Sequence, residues 1–327
     1  MMKNMRVLEV SRYKKNFVDH QLPFVTEQGE AIRALGNEVE YFLVRGNYLK
    51  AVGALKKKIR EFKPDIVHAH FGLSAITAEL QNLVPVVTTF HNGETHSKGV
   101  NFLTSLFSLR AKHVIYVTQH IRDMVYFKNR NYSIIPCGVS LEDCFLMDKL
   151  EARKQLNWDT KKRYILFGGA FSNERKNFKL LSEAVKQLEI GDRTLEIEVV
   201  EMRGLSRKDC VLLMNACDVF ALPTKNEGSP QALKEAMACN CPIVATDVAD
   251  IKHLLGELPG HYILPNKKDD AAWWVGDEHS AEELAELLKK ALAFEGRTKG
   301  RERIVELGYT NELVAKQIID IYKEILA

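Results

Sequence analysis

The sequence has no apolar run approaching the roughly 20 residues that a membrane-crossing helix needs. Met1 to Val10 lacks the apolar stretch of a signal peptide. A cytoplasmic protein is therefore expected. Six cysteines occur and none forms a C-x-x-C pair. Cys210 and Cys217 are spaced for one helical face and Cys239 and Cys241 flank a turn, which suits buried thiols in a reducing compartment better than disulfides or zinc ligands. Excess charge is lacking too: 46 basic and 43 acidic residues leave a formal +3, too little to argue for nucleic acid. There is no D-x-D and no His/Cys cluster with ligand spacing, so no metal and no cofactor are expected.

What is present is a chain of 327 residues, 46% hydrophobic and 27% charged, long enough for two globular domains. Short apolar runs at Arg6–Ser11, Glu38–Val44, Pro64–Phe71, Pro85–Phe90, Val114–Val117 and Ser133–Pro136 alternate with helical spacing, as at Leu22–Leu35 and Leu49–Phe62. The alternation predicts a parallel sheet covered on both faces. Leu141 to Arg163 is charged and without strand character, and reads as a linker, dividing a first domain (1–145) from a second (146–310). Tyr164–Gly168, Leu195–Val200, Asp218–Leu222, Pro242–Thr246, Asp247–Leu255 and His261–Leu264 supply a second sheet. Amphipathic helices are predicted at Ala281–Ala293 and Asn311–Leu326. The fold class is thus α/β, two Rossmann-like β/α/β domains.

The stretch Glu227-Gly-Ser-Pro-Gln-Ala-Leu-Lys-Glu235 organises this chain. The strand Asp218–Leu222 leads into the polar turn Pro223-Thr-Lys-Asn226, and Pro230 suits the first position of a helix, where its missing N–H costs nothing. A helix amino end at such a turn, here Gly228, Ser229, Pro230 and Gln231, offers unpaired N–H groups and a favourable dipole to an anion. A carboxylate in the turn (Glu227) and one further along (Glu235) can each accept two hydrogen bonds from paired sugar hydroxyls. In parallel sheets ligands lie beyond the carboxyl ends of strands. That rule also selects Ser11–Asn16, His68–Gly72, His91–Gly93 and the basic pair Arg175 and Lys176. The two cations precede a helix at Phe178–Leu188, whose dipole they oppose, a misfit that a bound anion would relieve.

Asp218 to Asp247, with two glutamates eight positions apart, resembles the donor-binding core of retaining GT-B glycosyltransferases of the family 4 type, which include glycogen synthases and many polysaccharide-assembly enzymes. His68-Ala-His-Phe-Gly72 is similar to the family's H-x-H segment, Thr89-Phe-His-Asn-Gly93 to its T-x-H-G/D turn, and Ile135-Pro-Cys-Gly-Val-Ser140 to its I-P-N-G-V-D. The resemblance implies two domains facing across a cleft, with the last helix (311–327) packing back on the first. It also implies transfer from a nucleotide-sugar, UDP- or GDP-linked, with retention and without an enzymic nucleophile, a donor phosphate oxygen taking the acceptor's proton. In that scheme Lys176 and Arg175 hold the diphosphate, Glu227 the sugar hydroxyls and Glu235 the ribose, while His91 lines the reacting face. The acceptor would be a saccharide or lipid-linked saccharide of cell-surface polysaccharide assembly.

The chain departs from the family in several places. The first loop, Ser11-Arg-Tyr-Lys-Lys-Asn16, has no glycine, so the backbone cannot approach a phosphate closely. Arg12, Lys14 and Asn16, with His70, stand as acceptor-side residues, the alternative being a solvated basic loop. Ser140 replaces the family's Asp, Ala170 stands where many members carry their Arg, and the second domain is compact. Lys56, Lys57, Lys58 and Arg60 form either a solvated helix face or a peripheral contact with an anionic inner membrane face. A non-catalytic nucleotide-sugar-binding subunit that activates a partner transferase is the alternative function.

Overall fold

A computed structural model describes residues 4–15, 22–93, 95, 97–191, 196–266 and 279–327. The chain divides into two compact units, Met1–Gly138 with Tyr309–Ala327, and Val139–Gly308. The sequence placed the division at 145/146.

The first unit is a six-stranded parallel sheet in the order β2-β1-β3-β4-β5-β6. The strands are β1 (Arg6–Arg12), β2 (Glu38–Val44), β3 (Ile66–His70), β4 (Val86–Phe90), β5 (His113–Tyr116) and β6 (Tyr132–Ile134). β3 and β4 are buried at every residue, as strands covered on both faces must be. Helices α1 (Pro23–Ala34), α2 (Ala51–Phe62), α3 (Gly72–Glu79), α4 (Lys98–Ser108) and α5 (Gln119–Met124) connect them. Val7, Ile32, Ile66, Val87 and Ile115 form one core with Val314, Ile318 and Tyr322, which come from the far end of the chain. At Gly138 an added Cβ would stand 2.8 Å from Asn311 Cα and 2.9 Å from its N; glycine there admits the returning backbone.

The second unit is a five-stranded parallel sheet. Its strands are β7 (Arg163–Phe167), β8 (Ile197–Glu201), β9 (Val219–Leu222), β10 (Ile243–Thr246) and β11 (His261–Leu264), in the order β11-β10-β9-β7-β8. Its helices are α6 (Lys149–Gln155), α7 (Phe178–Gly191), α8 (Arg207–Ala216), α9 (Gln231–Ala238), α10 (Ile251–Leu255), α11 (Ala281–Leu292) and α12 (Gly300–Glu306), and α13 (Asn311–Leu326) belongs to the first unit. The segment read as a linker, 141–163, contains α6. Arg153 is buried there, its Nη2 2.6 Å from Asp218 Oδ2, which fastens α6 to the base of β9. Asp247 to Leu255, expected in the sheet, is a turn leading into α10 (Ile251–Leu255), whose Ile251, Leu254 and Leu255 lie at helical spacing and are buried.

Both sheets reverse direction of winding at one place, between β1 and β3 in the first unit and between β7 and β9 in the second. The crevices beyond the carboxyl ends of those strand pairs are where such sheets bind ligands.

Candidate functional site

In the second unit the chain leaves β7 at Gly168 and Gly169. It forms a single 3-10 turn, Glu174–Lys176, then passes through Asn177 at φ 59° into α7. The turn is laced to the loop after β9: Lys225 N donates to Arg175 O at 2.8 Å and the Thr224 hydroxyl lies 3.1 Å from the same carbonyl. Glu227 closes the arrangement. Lys176 Nζ is 2.7 Å from its Oε1, Thr224 Oγ1 is 3.0 Å from the same oxygen, and Arg175 Nη1 is 3.5 Å from its Oε2. An added Cβ at Gly169 would come within 2.8 Å of Lys176 Cγ, so the lysine stem runs over bare backbone. Two cations and one buried carboxylate thus share the β7/β9 crevice with a net positive charge.

Beside them Pro230 stands at the N-cap of α9, one place before the first helical position expected for it, and Gln231 begins the helix. Ser229 donates to Asp250 Oδ2 at 2.7 Å. Glu235 faces Arg207, the first residue of α8, at 2.9 Å. Burial pushes the Glu235 carboxyl up, and Arg207 with Lys234 pulls it back. Burial likewise raises Asp250, against the nearby Lys234 ammonium. Lys234 is fully buried, a cation whose charge opposes the effect of burial on both Glu235 and Asp250. Sequence reasoning missed Lys234, Arg207, Thr224 and Asp250. A lysine inside the apolar repeat Leu233, Ala236, Met237 was the available sign of the first.

In the first unit the sheet register sets Glu9 on β1 beside His68 on β3, and His70 beside Thr89 on β4. His70 Nε2 is 2.7 Å from Glu9 Oε2, and His70 Nδ1 is 3.1 Å from His91 Nε2. His91 Nδ1 lies 3.6 Å from Cys137 Sγ. With Glu9 accepting, His70 donates from Nε2, and one proton lies between His70 Nδ1 and His91 Nε2, which couples the two rings. His68 packs: its nitrogens meet Tyr322 Oη at 2.6 Å and Thr89 Oγ1 at 2.7 Å, and burial holds its pKa well below the ordinary value. Phe71 at φ 68° and Asn92 at φ 136° follow His70 and His91 directly. Left-handed non-glycine residues of this kind cost energy and cluster at functional sites.

Glu9, His68 and His70 are, among the described residues, a set whose potential metal-ligand atoms lie within 4.8 Å of one another. The geometry does not fit an ion. The Glu9–His70 contact of 2.7 Å is a hydrogen-bond length, whereas two ligands on a tetrahedral zinc stand about 3.3 Å apart. Both His68 nitrogens also face hydroxyls.

Arg12, Lys14, Phe71 and Gly93 line one cavity of about 190 Å³ together with Tyr48, Leu73 and Val100, so the loops after β1, β3 and β4 converge. Asn16 lies outside the described residues. The α2 cations are partly spent: Lys58 pairs with Glu40, and Lys57 stands 3.9 Å from Glu61. All six cysteines are free thiols, Cys144, Cys217, Cys239 and Cys241 among them buried. No helix among the described residues is long and apolar enough to cross a membrane.

Residues 24–143 match the family Glycosyltransferase Family 4, and residues 162–294 match Glycosyl transferases group 1. The chain is 27% identical over 229 residues to a Bacillus subtilis protein provisionally named teichuronic acid biosynthesis glycosyltransferase TuaC, covering 61% of this chain and 57% of that one. It therefore spans little more than half the length of that relative. Among solved structures it is similar to sucrose-phosphate synthase from Thermosynechococcus elongatus, with a TM-score of 0.78 at 17% identity over 98% of this chain and 99% of that one. It is also similar to Anabaena Alr3699/HepE in complex with UDP and glucose, with a TM-score of 0.72 at 14% identity over 98% and 100%. With the family matches falling one in each unit and the two parallel sheets shared with these structures, the chain belongs to the GT-B glycosyltransferases of the family 4 type.

Proposed function

We propose that the protein transfers a sugar, with retention, from a nucleoside-diphosphate-sugar to a saccharide or lipid-linked saccharide in polysaccharide assembly. The observation that carries this is the cluster of Arg175, Lys176 and Glu227 at the β7/β9 crevice. A guanidinium and an ammonium offset the charge that grows on a departing diphosphate, and the amino end of α9 adds its dipole. These groups supply the neutralisation that a divalent ion would otherwise give, so we assign no metal to the step. Glu227 orients sugar hydroxyls as Lys176 turns toward phosphate, and Glu235, held by Arg207, takes the ribose. In the first unit, His91 is assigned to the reacting sugar and Arg12, Lys14 and His70 to the acceptor side.

The HepE structures with UDP and UDP-glucose support a uridine nucleotide as the first donor to try. Incubation with labelled UDP- and GDP-sugars tests the reading. Transfer or slow donor hydrolysis that is lost in Lys176→Ala is expected; saturable binding without turnover would instead indicate a non-catalytic nucleotide-sugar-binding subunit.

A further inference from the structure

Helix α4 is inside out. Its buried face is Asn101, Thr104, Ser105 and Ser108, while Phe102, Leu103, Leu106 and the following Leu109 are 48%, 48%, 40% and 45% exposed. The inward polar groups are satisfied. Thr104, Ser105 and Ser108 hydroxyls donate to the carbonyls of Val100, Asn101 and Ser105 at 2.8, 2.6 and 2.8 Å, and Asn101 Nδ2 donates to Met124 O at 2.9 Å. Small residues are what the contact with α3 demands: a Cβ on Gly72 would stand 2.3 Å from Thr104 Cβ. Close packing explains the polar inner face but not the outer one, where a solvated helix would carry charge.

The apolar strip continues past the helix. Phe127 meets Phe102 with ring centroids 5.3 Å apart, and Tyr126 is exposed. Arg110 Nη2 reaches Asn82 Oδ1 at 2.6 Å, which brings exposed Leu83 alongside. Cations outnumber acids along this stretch of chain. From Ser97 to Asn131 the chain carries Lys98, Arg110, Lys112, Arg122, Lys128 and Arg130 against a single acid, Asp123.

We propose that the outer face of α4 with the 126–130 segment docks on an anionic lipid surface. Apolar side chains enter the headgroup boundary and the flanking cations meet lipid phosphates. A second copy fits less well, because a two-fold contact through this face sets like charges against each other. The α2 cluster offers cations without such a strip, since Leu55, Ile59 and Phe62 point inward. The inference stands on unit geometry and does not depend on the sugar-transfer reading.

The test is co-sedimentation of the full chain with phosphatidylcholine vesicles with and without phosphatidylglycerol, in low and high salt. Expected are binding that requires phosphatidylglycerol and weakens with salt, and an approximately tenfold loss in Phe102→Ser/Leu106→Ser and in Arg110→Glu/Lys128→Glu. Both doubles alter exposed positions, and circular dichroism checks that they fold. Lys56→Glu/Lys57→Glu should bind like the parent. The proposal is overturned if the parent ignores anionic vesicles, if the α4 variants bind undiminished, or if the α2 variant alone loses binding. It is equally overturned if sedimentation velocity shows self-association through Phe102 and Leu106 while vesicles are ignored.

Discussion

Lys176 Nζ rests 2.7 Å from Glu227 Oε1, so the cation we assign to phosphate and the carboxylate we assign to a sugar hold each other. Each keeps the other in place at the crevice, and on the proposed reading donor binding exchanges this pair for two new sets of contacts.

Either Lys176→Ala or Glu227→Ala should therefore lower kcat/KM for sugar transfer by about 10²–10³. Their nucleotide binding should differ. Lys176→Ala weakens capture of UDP, whereas Glu227→Ala frees the lysine and leaves UDP binding equal or tighter, as isothermal titration would show. Wild-type turnover in either variant would refute the assigned roles.

Arg207→Ala should raise the Glu235 carboxyl further, because it removes the largest of the charges now opposing burial. A folded-state pKa above the unfolded one gives stability that is full below about 4.5 and fades as pH climbs through the folded value. The variant should be less stable than the parent by about 1–3 kcal/mol at neutral pH, and the gap should narrow in acid. Urea melts at pH 5 and pH 8 measure it.

Glu79 gives a second pH signature. Burial pushes its carboxyl up to about 8, against the pull of Arg110. Between the unfolded value and about 8 the folded chain keeps a proton that the unfolded chain has lost, so stability falls by about 1.4 kcal/mol per pH unit. Glu79→Gln should flatten that slope and raise Tm most at pH 9. An unchanged pH profile would show that Glu79 titrates normally.

Glu9→Gln replaces an acceptor with a group that can also donate, and should release the tautomer of His70 and, through it, of His91. Nitrogen-15 NMR of the imidazoles should show the change at both rings, while His68, held by Tyr322 and Thr89, keeps its signals. Identical spectra at His70 and His91 would show that Glu9 does not set them.

The apolar runs of β7, β9 and β10 were legible because buried parallel strands leave little choice of residue. That Lys176 and Glu227 share a crevice was legible because each stands in a loop beyond a strand's carboxyl end. Glu9 was not. One glutamate in Arg6-Val-Leu-Glu-Val-Ser looks like an ordinary alternation, and only the register with β3 shows that it points at two imidazoles. Asp247–Leu255 was read as sheet because its apolar residues were counted without their period; Ile251, Leu254 and Leu255 are three and four apart. The inverted amphipathicity of α4 could not be read at all, since the spacing of its apolar residues is that of any helix and the sequence does not say which face turns in.

Tyr322 hydrogen-bonds His68 across 254 positions of chain, and α13 fills the core of a unit whose other residues end at Gly138. During synthesis, residues 1–138 must wait, their hydrophobic centre unfinished, until the α13 segment has been made. The middle unit is continuous in sequence, from Val139 to Gly308, and needs nothing from α13. Order along the chain and order of completion thus differ, and a released chain truncated after Gly308 should hold a finished second unit beside an open first one.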